Sequence, residues 1–190
     1  MSNRAEHIAA HIAELMKNMH NATMVEVGWD DTKVYPGTGQ FIAQVAALNE
    51  YGGPIYHPPG EQTIYRKLDE KTGVFLRNAQ FVKQRFSNYV TSHASKGYWQ
   101  MIPPRPFFRT MIAANVGKWP VMSAEALRKS KYDASKALAK MGEIIKGELQ
   151  QSIRDLKSPA NAPSTIRKKG FDDPLIDSKL MFQSVDFDVK

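Results

Sequence analysis

The chain has 190 residues, 42% of them hydrophobic and 24% charged, which is enough apolar material to fill the core of one globular domain. Lys and Arg outnumber Asp and Glu by 26 to 19, and the net charge of +7 favours a polyanion or an acidic protein surface as partner without choosing between them. Cysteine is absent, which excludes disulfides, thiolate metal sites and cysteine nucleophiles, while the polar start and the lack of a bilayer-length apolar run predict a soluble protein that makes no membrane contact.

The first predicted element is an amphipathic helix. Ile8, Ile12, Leu15, Met16 and Met19 recur at helical spacing, Arg4, Glu14 and Lys17 face water, and Ser2 or Asn3 is placed to cap it. His7 and His11 lie four apart on it with Glu14 close by, a spacing that suits one metal ion. Ile8 stands where a metalloprotease helix carries its Glu, and no third ligand is identifiable. Polar residues flanking an apolar stripe are the simpler account. Val25 and Val27 then alternate with Glu26 in a predicted strand over Thr23 to Trp29, and Pro36-Gly37-Thr38-Gly39 marks a turn. Phe41 to Leu48 is an apolar run that fits helix or strand, ended by Tyr51-Gly52-Gly53-Pro54.

From about 57 to 100 the chain changes character. Aromatic and β-branched residues mix with Arg66, Lys67, Lys71, Arg77, Lys83, Arg85 and Lys96, and Asp69-Glu70-Lys71-Thr72-Gly73 sits between two strand-like pieces as a turn. The segment is predicted to be a β-hairpin excursion from a single domain spanning 1–190, used for subunit contacts. Arg66, Lys67, Lys83 and Arg85 are candidates for contact with a polyanion or a partner, as are Arg167, Lys168 and Lys169 further on.

Met101 to Pro106 is an extended proline strut, and Pro106 is placed to begin a helix through Phe107, Phe108, Met111, Ile112 and Val116. One long helix is expected after Pro120, with Leu138, Met141, Ile145, Leu149, Ile153 and Leu156 as its stripe. Gly142 and Gly147 each cost about 1 kcal/mol relative to Ala there, which close approach of another backbone would offset. Ser164 is placed to cap a short basic helix ending at Gly170, another short helix is expected over Leu175 to Met181, and Ser184 to Val189 alternates as a terminal strand. The predicted class is α+β: a small antiparallel or mixed sheet packed with an N-terminal helix and long C-terminal helices, plus the excursion.

No nucleotide fingerprint, Walker sequence or nucleophile elbow occurs, and Asp30-Asp31 and Asp172-Asp173 fall in predicted turns, where Asp is favoured for local hydrogen bonding. The expectation is a chain without catalysis or cofactor. Two other classes compete with it: a basic DNA-binding protein, and a metal-dependent hydrolase built on His7, His11 and Glu14.

Three stretches stand out as strings. They are Val45-Ala46-Ala47-Leu48-Asn49-Glu50-Tyr51-Gly52; Ile102-Pro103-Pro104-Arg105-Pro106-Phe107-Phe108-Arg109; and Asn161-Ala162-Pro163-Ser164-Thr165 through Lys169-Gly170 to Pro174-Leu175-Ile176-Asp177 and Ser184-Val185. In this order and spacing they resemble the tail-completion (neck, or virion-morphogenesis) family of tailed bacteriophages; Ser178-Lys179 departs from it, standing where that family usually has Thr-Gly. The resemblance implies a non-catalytic α+β virion subunit at the head–tail junction or tail end, assembled in the host cytoplasm. Its implied partners are copies of itself in a ring (a hexamer favoured over a dodecamer), other neck, connector or tail-tube proteins, and DNA in the channel. Within these stretches Asn49, Glu50, Tyr51, Arg105, Phe107, Phe108 and Arg109 are the interface candidates, with core packing an equal reading for the two phenylalanines.

Overall fold

A computed structural model describes residues 2–75 and 82–190; the excursion residues Arg77 and Phe81, and the side chain of Lys168, lie outside what is described. In chain order the elements are α1 (Ser2–Met19), β1 (Val25–Trp29), α2 (Ile42–Tyr51), β2 (Gly53–His57), β3 (Gly60–Arg66), β4 (Tyr89–Ser95), β5 (Tyr98–Ile102), α3 (Phe107–Asn115), α4 (Trp119–Lys129), α5 (Ala134–Asp155), α6 (Pro163–Lys169), α7 (Leu180–Gln183) and β6 (Val185–Val189). The class is α+β, and among the described residues the strands pair antiparallel. Among the described residues no helix is long and apolar enough to cross a membrane.

The fold is organised on α5. Its stripe buries Ala134, Ala137, Met141, Leu149 and Ile153, and the Asp133 carboxylate caps it by accepting from the Lys136 amide at 3.1 Å. Strands β1 and β6 pair across the two ends of the chain, Val25 opposite Val189 and Trp29 opposite Val185, and lie on α5. Ile42, Ala46, Phe107, Met111, Leu175, Met181 and Val185 complete the core with Leu149 and Ile153. Trp29 meets Phe107 edge-on at 6.0 Å and donates its indole N–H to the Met181 carbonyl at 2.7 Å, so its polar end is satisfied inside the core.

The single helix expected after Pro120 is two. Lys131 and Tyr132 both adopt left-handed backbone (φ 56° and 64°), and the Ser130 hydroxyl bonds the carbonyls of Leu127 (3.0 Å) and Asp133 (2.9 Å) across the break. Trp119, at the start of α4, donates to Glu148 near the far end of α5 at 2.9 Å, so the two helices run antiparallel. Gly142 makes room for a side chain of the same chain rather than for another backbone, since a β-carbon there would overlap the Phe187 ring of β6; at Gly147 a β-carbon would meet nothing.

Helix α1 does not bury its stripe as expected. Leu15 is half-buried, but Ile8, Ile12, Met16 and Met19 are between 46% and 58% exposed. Just beyond its C-terminal end Asn21 ties it to the body, donating to Asp133 (3.0 Å) and accepting from the Ser135 amide (2.8 Å). Near the other terminus Ala162, not Ser164, holds the N-cap position of α6, with Pro163 as first residue and left-handed Gly170 closing it. The helix expected over Leu175–Met181 shrinks to α7, preceded by Lys179 at φ 64°.

The excursion is a two-stranded arm. Strand β2 pairs β5 from Gly53 opposite Ile102 to His57 opposite Tyr98, and β3 pairs β4 from Gly60 opposite Ser95 to Arg66 opposite Tyr89. The offset is the same in both ladders, so they form one ribbon of about 45 Å at the usual rise per residue. The ladder lapses only at Pro58-Pro59, which lack amide protons; opposite them Gly97 has no space for a side chain beside the Tyr56 hydroxyl and Pro59. A turn is present at Asp69–Gly73, with the Asp69 carboxylate accepting from the amides of Lys71 (2.8 Å) and Thr72 (3.1 Å) and Gly73 at φ 66°, but it closes the isolated Leu68–Phe75 bridge and is not the connection between β3 and β4, which runs over 67–88.

Candidate functional site

The residues singled out in the sequence meet where α2, the proline strut and the loop before α6 converge. Asn49, Glu50 and Tyr51 form the last turn of α2, which closes on Gly52 at φ 71°. A β-carbon at Gly52 would stand 2.7 Å from the Ile102 carbonyl and 2.8 Å from the Pro104 nitrogen, so only glycine lets the strut cross the helix end this closely.

That crossing brings Glu50 to the N-terminus of α3. Its carboxylate is almost fully buried and accepts from the Phe108 amide (2.8 Å), the Arg109 amide (3.2 Å) and Arg109 Nε (2.7 Å), while Arg109 also donates to the Glu50 carbonyl (3.1 Å). An anion satisfying free amides at the positive end of a helix dipole does for α3 what a local cap would do, and Pro106, which holds the N-cap position, has no side-chain acceptor of its own. Arg109 is otherwise exposed and its guanidinium covers the Tyr51 ring at 5.1 Å.

Arg105 lies in the same junction, 8% exposed. It donates to Asn49 Oδ1 (3.0 Å), the Pro159 carbonyl (3.3 Å) and Asn161 Oδ1 (3.5 Å), and its own amide donates to the Asn49 carbonyl (2.7 Å). Asn161 in turn donates its amide and side-chain N–H groups to Asp172, both at 3.2 Å. Burial lowers the Arg105 pKa, and the charge of Asp172 opposes that shift. Lys169 is lowered for the same reason, against the attraction of Asp177 and Asp173, and it donates to the Asp173 carbonyl at 2.6 Å and lies over the Phe171 ring at 4.9 Å.

The interface candidates therefore divide. Glu50, Arg105 and Phe107 are buried within the chain, where they hold its parts together, and Asn49 and Phe108 are half-buried beside them. Tyr51, 68% exposed, and Arg109 remain available to a partner. One face of the arm's root adds Tyr56, Trp99 and Met101, all exposed, with the Tyr56 and Trp99 rings 5.0 Å apart. Asp172 and the Pro159 carbonyl, read in the sequence only as loop features, prove to be hydrogen-bonded to this junction, Asp172 from its exposed side, and no local signal marks them.

The basic candidates occupy the far part of the arm and α6. Lys67, Lys83 and Arg85 are exposed, and the Arg66 and Arg85 guanidinium groups lie over Phe75 (5.2 Å) and Phe86 (4.6 Å). Lys83 and Arg167, far apart in sequence, line one groove of about 640 Å³ floored by Ile64, Tyr65 and Val82. On the outer side of β1 and β6 a second concavity, about 580 Å³, is walled by Glu26, Asp30, Asp31, Asp186 and Asp188 against two lysines. Hydrogen bonds from Thr32 hold Asp30 below its ordinary pKa, and Lys146 does the same for Asp186.

His7, His11 and Glu14 are exposed along α1, and among the described residues no group of three or more His, Asp or Glu is placed to hold a metal ion. The arrangement offers a hydrogen-bonded junction, exposed aromatic residues at the arm's root, exposed cations in the arm's far part and a concavity walled largely by carboxylates. No protein-family model, curated protein or solved structure matches the chain.

Proposed function

We propose that the chain is a structural virion subunit of a tailed bacteriophage, acting at the head–tail junction or tail end. In this reading it assembles as a ring that completes the tail or neck and joins it to the head, by contact rather than by catalysis. One observation supports this above the others. The three stretches that carry the resemblance are far apart in the sequence, yet Asn49 and Glu50 of the first, Arg105 and Arg109 of the second and Asn161 of the third share one hydrogen-bonded junction. An accidental likeness of short strings has no reason to fall where α2, the proline strut and the loop before α6 converge. The departure at Ser178-Lys179 fits as well: Lys179 takes the left-handed backbone that glycine would take most easily. Exposed Tyr51, Tyr56, Trp99 and Met101 supply the kind of apolar, aromatic patch that subunit contacts use.

The test is deletion of the gene in the phage that carries it. Unjoined heads and tails, rescued by supplying the protein in trans, are the expected result, and normal joined virions overturn the proposal. A second reading, DNA binding, has its own support in the groove where Lys83 and Arg167 meet. It predicts affinity for duplex DNA that falls steeply with salt. Absence of binding at low salt removes it.

A further inference from the structure

The turn between α4 and α5 carries a charged patch that the ring reading does not use. Over residues 125–140 the chain sets Arg128, Lys129, Lys131, Lys136 and Lys140, all exposed, against two carboxylates, Glu125 and Asp133. Lys129 reaches Glu125 at 3.7 Å and Lys136 reaches Asp133 at 2.9 Å, which occupies both acids. Asp133 is further engaged by Asn21 and by the Lys136 amide. Arg128, Lys131 and Lys140 form no ion pair among the described residues. The backbone under the patch is strained. Tyr132 donates its amide to the Leu127 carbonyl (2.8 Å) and Lys131 donates to the Arg128 carbonyl (3.1 Å), the paired bonds that close a helix on a left-handed residue. Glycine fits such a position without strain, yet Lys131 holds it, and Tyr132 follows in the same left-handed region. Neither side chain serves the turn's own hydrogen bonds, which the backbone and the Ser130 hydroxyl make between them. Strain of this kind gathers where the side chain that bears it is used.

We propose that the α4–α5 turn is a contact for the phosphate backbone of a nucleic acid, with Arg128, Lys131 and Lys140 as its unpaired cations. An acidic protein would meet the same charges, but protein interfaces centre on apolar residues and are poor in lysine. Nucleic-acid interfaces are polar and strongly positive. Tyr132, 43% exposed, is the only exposed large apolar side chain between 125 and 140, so the patch has the second character. The contact needs one protomer alone and does not rest on the ring, nor on the groove at Lys83 and Arg167.

The experiment measures binding of a short fluorescein-labelled duplex DNA to the full chain by anisotropy, across a sodium chloride series. The parent is expected to bind with an affinity that falls as salt rises. Arg128→Gln with Lys131→Gly is expected to weaken binding on the order of tenfold and to lower the slope of log affinity against log salt by about 2, alike for unrelated sequences. Lys131→Gly alone is expected to lower that slope by about 1 while the melting temperature holds or rises, because glycine relieves the turn. The single variant decides the matter where the double one disturbs the circular dichroism. Lys118→Gln with Lys157→Gln removes two charges at the opposite end of the helix pair, just before α4 and just after α5, and is expected to weaken binding far less. A turn variant that binds like the parent overturns the contact. So does a charge-matched control that loses as much, since binding then follows net charge alone. Turn substitutions that weaken binding of poly-glutamate and leave DNA binding unchanged assign the patch to an acidic protein and also overturn it. A parent that binds no DNA at low salt overturns this contact and the DNA reading together, and leaves the ring reading to the gene deletion.

Discussion

Glu50 and Arg109 lie 59 positions apart in the chain, yet Arg109 Nε stands 2.7 Å from Glu50 Oε1 while the same carboxylate takes the amides of Phe108 and Arg109. A residue at the end of one helix thus caps the start of another. Replacing Glu50 with Ala orphans those amides in a buried place, and a loss of about 1–3 kcal/mol is expected. The loss falls short of that for a fully buried ion pair because Arg109 can turn to water. Glu50→Gln, which keeps one acceptor, is expected to lose less. Urea denaturation of the three proteins measures the order.

Arg105 is largely shut off from water, only 8% exposed. Arg105→Ala leaves Asn49, Asn161 and the Pro159 carbonyl without their shared donor, and about 3 kcal/mol of destabilisation is expected. Arg105→Lys keeps the charge but not the planar fork that reaches three acceptors at once, so it is expected to recover only part of the loss. Thermal unfolding midpoints decide between full and partial recovery.

The two glycines of α5 make opposite predictions. Gly147→Ala places a methyl in open space and is expected to stabilise by up to about 1 kcal/mol through helix propensity. Gly142→Ala drives a methyl into the Phe187 ring and is expected to cost about 1–3 kcal/mol despite the same propensity gain. Combining Gly142→Ala with Phe187→Leu should return part of that cost, which a double-mutant cycle reads directly.

Acid sensitivity should concentrate at Asp133. Hydrogen bonds from Asn21, then from the Lys136 side chain and amide, lower its pKa to about 2 from an ordinary 3.8. A carboxyl depressed on folding contributes stability that is fully present above the ordinary value and is lost as pH falls from about 3.8 to about 2. Asp133→Asn keeps a capping oxygen but does not titrate. The difference in melting temperature between parent and variant is therefore expected to shrink across that window, and a constant difference would argue against the link.

Helix α1 should be nearly silent in the stability of the protomer. Ile12→Gln with Met16→Gln alters residues that are 51% and 58% exposed, so a change within about 0.5 kcal/mol is expected. A large loss in equilibrium unfolding would mean that the stripe is covered.

The sequence by itself determined what depends on near neighbours along the chain. The three-and-four spacing from Leu138 to Leu156 marks the buried face of α5, because a helix turns every 3.6 residues. Alternation marks β6, Asp69 to Gly73 marks a local turn beyond β3, and Gly170 marks the end of α6 through its left-handed backbone. Only the tertiary structure decided what depends on which surfaces meet. The break between α4 and α5 falls on Lys131 and Tyr132, residue types that do not announce a left-handed turn. Gly142 is explained by a ring from the last strand, the stripe of α1 is left uncovered, and Glu50 and Arg105 turn from surface candidates into the buried lock of a junction. Spacing reports which side of an element is apolar, but burial and pairing are settled by chain closure, which brings together groups that no local pattern connects.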